Sequence, residues 1–228
     1  MKALEKIFGI RIGKADLFKR ALTHPSFTKE KELPYNENYE RLEFLGDAVL
    51  KLVASQILFD KYPDYTEGSL SKIRSIIVSD STLAKISREI GLCDLIILSK
   101  HEAKQGYAEI ESVCACAFEA VLGAYYLDGK LKKLIPFLQD VLMQYIEEVD
   151  DNFEKFNAKA ILQEYTQSVD KKTPVYNLLS ETGPAHKKIF TVEVSHQGKV
   201  VAKGSGKSKK DAEQHAAYEA CKVLGVIK

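Results

Sequence analysis

The 228-residue sequence is poor in the residues that mark several classes of protein. It has no tryptophan and only four cysteines, too few for a disulfide framework and without the CxxC pair of a zinc site. It has 13 glycines and six prolines, which excludes a collagen-like or low-complexity chain. No apolar run approaches the roughly 18 residues of a membrane span, and the N-terminus lacks a secretory signal. We therefore expect a cytoplasmic protein with reduced thiols and no membrane partner.

Charge is present in quantity, but its sign changes along the chain. Apolar residues make up 45% and charged residues 29% of the sequence, proportions typical of a globular protein. The net charge is +1, yet residues 1–154 carry 20 Lys and Arg against 25 Asp and Glu, whereas residues 155–228 carry 13 against 7. This asymmetry indicates an acidic part suited to metal ions and a basic part suited to a polyanion.

The first part of the chain has the apolar periodicity of helices. Apolar residues recur at spacings of three and four from about residue 15 to residue 149, a pattern that predicts amphipathic helices. The clearest segments are 70–90, 112–127 and 131–149. Periodicity ends and charge accumulates at 150–156, where we place a linker. We predict an all-α domain over residues 1–150.

The second part has a different period. Apolar and polar residues alternate in short runs bounded by Gly and Pro, as in half-buried strands. The predicted elements are a helix at 158–168, strands at 174–180, 189–195 and 199–203, and a helix at 209–224. We predict a small α+β domain over residues 157–226 with the order α-β-β-β-α.

Two apolar helical segments carry isolated carboxylates. Glu40, Glu43 and Asp47 fall at positions i, i+3 and i+7, which share one helix face, and Glu119 is the single charge of segment 112–127. An ionised carboxylate among apolar residues is costly unless it is paired or bound to a metal. Oxygen ligands on rigid helices suit Mg²⁺.

A purely structural role for these acids is also compatible with their spacing and is the simpler interpretation of it. Asp47 and Lys51 form an i, i+4 pair, and Glu119 could pair with a buried arginine such as Arg74. Spacing alone leaves both interpretations open.

Longer motifs distinguish between them. Residues 40–50, ERLEFLGDAVL, resemble the signature of bacterial ribonuclease III. Residues 67–74 are similar to the EGxLSxxR segment of that family, and residues 117–128 are similar to its second acidic helix. The similarity continues through residues 158–224, so it covers nearly the whole chain.

The resemblance implies an endoribonuclease. In this family an all-helical nuclease domain dimerises and cuts double-stranded RNA, and a C-terminal domain binds that RNA. The implied reaction is metal-dependent hydrolysis of phosphodiesters to 5′-phosphate and 3′-hydroxyl ends. The implied role is the processing of ribosomal RNA precursors and structured mRNA by a cytoplasmic homodimer without a small-molecule cofactor.

The resemblance also assigns roles to the acids. Glu43, Asp47 and Glu119 would surround a divalent ion, Mg²⁺ or alternatively Mn²⁺, and Asp47 and Glu119 would be catalytic. Glu40 and Glu67 match acids near the cleavage site and would have accessory contacts with RNA or water.

The sequence departs from the family at Cys116, where the family usually has an Asp ligand. A thiol has an ordinary pKa near 8.5 and offers soft sulfur, which makes it a doubtful ligand for Mg²⁺. Three alternatives remain open. The metal site works but is weaker, cleavage is lost and the protein only binds double-stranded RNA, or the change is engineered or compensated by an acid such as Glu109 or Glu111.

The last predicted helix begins with a cluster of lysines. Ser208 and Asp211 have the spacing of a capping box, and Lys207, Lys209 and Lys210 surround the cap. Cations at a helix N-terminus oppose the macrodipole, whereas an anion is bound there by free amides. By itself the cluster is compatible with a phosphate-binding helix end and, more simply, with an ordinary solvated run of lysines.

This segment resembles a double-stranded-RNA-binding domain, which reads the shape of A-form RNA more than its sequence. By that resemblance, the three lysines would grip phosphates across the major groove. Gln163 and Glu164 would contact one minor groove, and His186 would contact the next.

Overall fold

A computed structural model describes residues 1–106, 110–184 and 188–227 of the chain. The chain divides into two compact units, Met1–Glu148 and Val149–Lys228. Within the described ranges, no helix is long and apolar enough to cross a membrane.

The first unit is helical, as predicted, and its core lies around two long helices. Its helices are α1 (Lys2–Phe8), α2 (Ala15–Ala21), α3 (Pro25–Glu30), α4 (Glu40–Lys61), α5 (Glu67–Ile77), α6 (Asp80–Glu89), α7 (Lys100–Lys104), α8 (Glu111–Leu127) and α9 (Leu131–Asp151), with 3₁₀ turns at Tyr35–Glu37 and Cys93–Leu95. The α8 helix is buried almost all round, and α4 packs along it. These two helices carry the acids singled out in the sequence.

The predicted single helix over residues 70–90 is wrong, because the chain breaks between α5 and α6. Ser79 has an extended backbone, and the hydroxyls of Ser79 and Thr82 donate to the Ile76 carbonyl at 2.7 and 2.9 Å. Such side chains compete with the helical hydrogen-bond ladder and favour a new helix start. The break places Asp80 in the first turn of α6.

The prediction that all thiols are reduced is also wrong. A disulfide joins Cys93 to Cys114, whose Cα atoms are 5.5 Å apart, although 21 positions separate them. The turn after α6 packs against the start of α8 and brings the two side chains together. Cys116 and Cys221 are free.

The second unit has the predicted α-β-β-β-α order. It consists of α10 (Phe153–Asp170), β1 (Val175–Thr182), β2 (Ile189–His196), β3 (Lys199–Gly206) and α11 (Lys209–Val223). The strands form an antiparallel sheet in the order β1-β2-β3. Gln197 and Gly198 connect β2 to β3 with φ values of 52° and 77°, the backbone of a tight two-residue hairpin turn.

The predicted linker at 150–156 is mostly helical. The α9 helix continues to Asp151, and α10 begins at Phe153. The non-helical residue of this stretch is Asn152, so the loss of apolar periodicity marked a short break between two helices.

Glycine allows α11 to lie directly on the sheet. Ala212, Ala216 and Ala220 are fully buried against it. A Cβ at Gly204 of β3 would lie 2.1 Å from the Ala216 nitrogen, closer than real Cβ atoms approach other heavy atoms. A Cβ at Gly206 would likewise lie 2.6 Å from the Ala212 nitrogen, and this second contact fixes the end of α11 that carries the lysine cluster.

Candidate active site

The backbones of α4 and α8 touch at a pair of glycines. A Cβ at Gly46 would lie 1.7 Å from the Glu119 carbonyl oxygen, and one at Gly123 would lie 2.3 Å from the Leu42 carbonyl oxygen. Any side chain at either position would therefore force the helices apart. The glycine pair places Asp47, which follows Gly46, next to the turn of α8 that carries Glu119.

The acids face a cavity of about 740 Å³ in the first unit. Among the described residues, it is lined by Tyr35, Glu40, Glu43, Phe44, Asp47, Lys51, Ser75, Val78, Asp80 and Glu119. Four of the acids predicted from the sequence are in this set. The structure therefore brings together Glu40, Glu43, Asp47 and Glu119.

Asp80 is a fifth acid of the cavity, and sequence reasoning missed it. It lies in the first turn of α6, where an acid is common because it interacts favourably with the helix dipole. Nothing in its local sequence separates that ordinary role from a place in the site. A predicted helix break before Asp80 would have been the sequence signal that this acid begins a separate helix.

Mutual repulsion between the acids is visible at Glu119. Burial raises the pKa of Glu119 to about 8, and the charges of Asp47, Glu43 and Asp80 add to the rise. The Lys51 ammonium opposes it. Burial likewise raises the pKa of Glu43. Near neutral pH, Glu119 therefore keeps its proton unless a cation binds in the cavity.

Of the two structural pairings considered from the sequence, one is present. The Lys51 ammonium donates to Asp47 Oδ2 at 2.7 Å. Both side chains are more than a third exposed, so the pair contributes at most about 1 kcal/mol to the stability of the fold. Arg74 instead donates to the Ser55 hydroxyl at 2.7 Å. It is therefore not the partner of Glu119.

Cys116 is a neutral thiol beside the cavity and not one of its lining residues. Burial raises the pKa of the thiol, and the Glu43 carboxylate raises it further. The thiol donates a hydrogen bond to Glu43 and accepts one from the Tyr39 hydroxyl. It thus orients Glu43 but supplies no negative charge.

The two accessory acids occupy different environments. Glu67 is exposed at the start of α5 and accepts a hydrogen bond from the Ser71 hydroxyl at 2.6 Å, and it does not line the cavity. Glu40 lines the cavity and accepts a hydrogen bond from the Tyr35 hydroxyl, which raises the pKa of Tyr35. Within the described part of the chain, Glu40 Oε2 is buried without a hydrogen-bond partner.

The donor chemistry of the cavity fits a hydrated divalent ion. Among the described residues, no three His, Cys, Asp or Glu side chains are gathered closely enough to hold an ion as they stand. Mg²⁺ retains several waters and needs only one or two carboxylates directly. Carboxylates that raise one another's pKa, as these do, favour a cation between them.

The second unit presents an exposed basic helix end. Ser208 Oγ accepts a hydrogen bond from the Asp211 nitrogen at 3.1 Å, so the predicted cap is confirmed. Lys207, Lys209 and Lys210 are exposed. No hydrogen bond or ion pair to another described residue holds their ammonium groups.

The remaining predicted residues are less informative. Gln163 and Glu164 are exposed on α10. His186 and Glu109 lie outside the described residues. Glu111 begins α8 and does not line the cavity.

Comparison with known families agrees with this geometry. A family profile described as "Ribonuclease-III-like" matches residues 14–146, more than half of the chain. The chain belongs to the ribonuclease III family. A second profile, "Double-stranded RNA binding motif", matches residues 158–224. The resemblance seen in the sequence is thereby confirmed.

Individual relatives extend over most of the chain. Ribonuclease 3 of Staphylococcus epidermidis is 41% identical over 96% of this chain and 89% of its own length. Ribonuclease 3 of Staphylococcus aureus strain JH9 is 42% identical over 93% of this chain and 87% of its own. The ribonuclease III nuclease domain of Campylobacter jejuni is 37% identical with a TM-score of 0.55, covering 64% of this chain and 96% of that domain. The chain is a ribonuclease III-type endoribonuclease.

Proposed function

We propose that this member of the ribonuclease III family cleaves double-stranded RNA by hydrolysis that depends on a divalent ion, Mg²⁺ or alternatively Mn²⁺. The products would carry 5′-phosphate and 3′-hydroxyl ends. The proposed substrates are ribosomal RNA precursors and structured mRNA in the cytoplasm. Residues 1–150 would form the nuclease domain and residues 157–226 the RNA-binding domain.

One observation carries the proposal. Gly46 and Gly123 allow α4 and α8 to touch, so that Glu43, Asp47 and Glu119 face one cavity. Placing three carboxylates around one cavity, with the pKa values of Glu43 and Glu119 raised, costs free energy that a fold without a cation would have no reason to retain.

The proposed mechanism assigns a task to each side chain. When bound, a divalent ion lowers the pKa of a water and offsets negative charge on the scissile phosphate. Glu43, Asp47 and Glu119 would hold that ion through oxygen atoms. Glu119 would release its proton as the ion enters, since burial and, after it, the charges of the neighbouring acids raise its pKa, and a cation favours the charged form. Lys51 holds one Asp47 oxygen and leaves the other available.

An apolar surface beside the cavity supports the proposed homodimer. Phe44 is 82% exposed and Tyr35 is 72% exposed. Both side chains line the acidic cavity and a second cavity of about 650 Å³ that also includes Leu17 and Leu127. Exposed apolar patches of this kind indicate a protein interface. One of the Campylobacter jejuni nuclease-domain structures is reported to show structural flexibility in a region involved in dimer formation.

Cleavage of a long double-stranded RNA by the purified protein tests the proposal. We expect cleavage that requires Mg²⁺ or Mn²⁺ and ceases on chelation. The active species is expected to have the mass of two 25.6 kDa chains. Cys116→Asp is expected to cut at a lower metal concentration, because a carboxylate binds these ions better than a neutral thiol. End-labelling of the products checks the 5′-phosphate.

The same experiment evaluates the second candidate, a protein that binds double-stranded RNA without cutting it. The neutral thiol of Cys116 favours this candidate, because the site has one carboxylate fewer than the family pattern. Binding without cleavage at any metal concentration, together with cleavage by Cys116→Asp, would establish it and contradict the proposed nuclease activity.

The lysine cluster gives a separate prediction for RNA binding. Lys209→Ala/Lys210→Ala is expected to weaken binding and to reduce the slope of log K against log salt by about 2, because each phosphate contact releases about one counterion. Fluorescence anisotropy at several salt concentrations measures both. Lys132→Ala/Lys133→Ala, an exposed lysine pair in the first turn of α9, is the matched control. An equal slope for the two double variants would contradict the assignment.

A further inference from the structure

Asp80 enters the acidic cavity from a third helix. The α4 helix supplies Glu43 and Asp47 and α8 supplies Glu119, whereas Asp80 comes from the start of α6. The hydroxyls of Ser79 and Thr82 fix the turn before it. Its position is therefore set by the start of α6, which packs on α8.

The Asp80 carboxylate is free to bind a ligand. Its side chain is exposed to the cavity, and within the described part of the chain no hydrogen bond or ion pair holds it. Its negative charge acts on Glu43, Cys116 and Glu119 alike. It lines the same cavity as Glu43, Asp47 and Glu119.

Cys116 leaves this site short of one charged oxygen ligand. Its thiol is neutral, donates to Glu43 and does not line the cavity. The acids Glu109 and Glu111 were the compensating candidates in the sequence. Glu111 lies outside the cavity, and Glu109 lies outside the described residues. Besides the acids of α4 and α8, the carboxylate of Asp80 lines the cavity.

We propose that Asp80 supplies the fourth carboxylate of the cation site in place of Cys116, through a direct contact or through one bound water. The inference rests on the proposed function, because it concerns the same ion. Contact through water agrees with the spacing of the acids, since Mg²⁺ keeps part of its hydration shell. Asp80 then determines how tightly the ion is held, and Cys116 only orients Glu43.

The ordinary role of Asp80 as a helix N-terminal acid makes a different prediction. That role would affect stability by a small electrostatic contribution and would leave cation binding unchanged. Asp16 provides the matched control, since it is an exposed acid in the first turn of α2 and does not line the cavity.

Mn²⁺ binding to the full-length protein without RNA tests the proposal. Calorimetry and the electron paramagnetic resonance of free Mn²⁺ are expected to show that Asp80→Asn weakens binding about 10- to 100-fold. Asp16→Asn is expected to bind like the unmodified protein. In the Cys116→Asp background, the loss caused by Asp80→Asn is expected to be several-fold smaller, because two acids that substitute for each other are not additive.

Each result has a distinct meaning. Unchanged Mn²⁺ affinity in Asp80→Asn, with binding intact in the unmodified protein, would overturn the role of Asp80 and leave the proposed function standing. An equal loss in both backgrounds would overturn the replacement of Cys116. Absence of Mn²⁺ binding in the unmodified protein would overturn the proposed function and this inference together.

Discussion

Glu119→Gln is expected to lower the rate of double-stranded RNA cleavage at least about 10³-fold, because a metal ion contributes several kcal/mol of charge stabilisation and each 1.36 kcal/mol is a factor of ten. The variant keeps the shape of the side chain but loses the ionisable oxygen. RNA affinity is expected to be unchanged, since the basic end of α11 belongs to the other unit.

Cleavage at saturating RNA and binding in the presence of a chelator measure the two effects separately. Glu111→Gln is the matched control, because Glu111 is an exposed acid on the same helix and does not line the cavity. Cleavage by Glu119→Gln at the rate of Glu111→Gln would contradict the catalytic role of Glu119. Loss of cleavage and binding together would indicate misfolding.

The raised pKa of Glu119 also predicts how the stability of the protein depends on pH. The pKa rises from 4.5 to about 8 in the folded protein, so the folded state binds more protons than the unfolded state between these values. The contribution of Glu119 to stability is therefore present below pH 4.5 and is lost as the pH rises toward 8. Without metal, Glu119→Gln is expected to show a weaker fall in melting temperature over this range than the unmodified protein.

Gly46→Ala is expected to lower the free energy of unfolding by about 3 kcal/mol or more and to abolish cleavage. Overpacking a core typically costs about 1–3 kcal/mol, and here the new Cβ would lie 1.7 Å from a backbone carbonyl of α8 that cannot rotate away. Separation of α4 from α8 also moves Asp47 away from Glu119. Chemical denaturation and the cleavage assay measure the two losses.

Gly68→Ala is the control for that substitution. Gly68 is also helical, but a Cβ there would have only the Thr66 hydroxyl within 4 Å, at 3.9 Å. Alanine at an exposed helical position stabilises by up to about 1 kcal/mol relative to glycine. Similar stability changes for Gly46→Ala and Gly68→Ala would show that the helices can separate without cost, contrary to the proposed role of the glycine pair.

Sequence reasoning worked best where the signal was periodic. The alternation from Ile189 to Ser195 predicted β2 to within one residue, and the Ser208 cap predicted the start of α11. It failed where local side-chain hydrogen bonds decided the result. Ser79 and Thr82 end α5 by bonding the backbone, and no apolar pattern records such a bond.

Long-range proximity explains the incorrect prediction that all thiols are reduced. Cys93 and Cys114 have no motif that pairs them, and only the packing of the turn after α6 against α8 brings their sulfurs together. The missing information therefore lay outside the local sequence window.

By itself, the sequence determined the two-part architecture, the family and the acids on α4 and α8, because helix and strand periods and an eleven-residue motif are local properties. The tertiary structure alone decided which carboxylates share a cavity. Gly46 and Gly123 set the distance between two helices, and the break before Asp80 turns a third helix toward them. It also decided that Cys116 is a neutral hydrogen-bond donor, because burial and the neighbouring carboxylates, not the residue type, set the charge of a thiol.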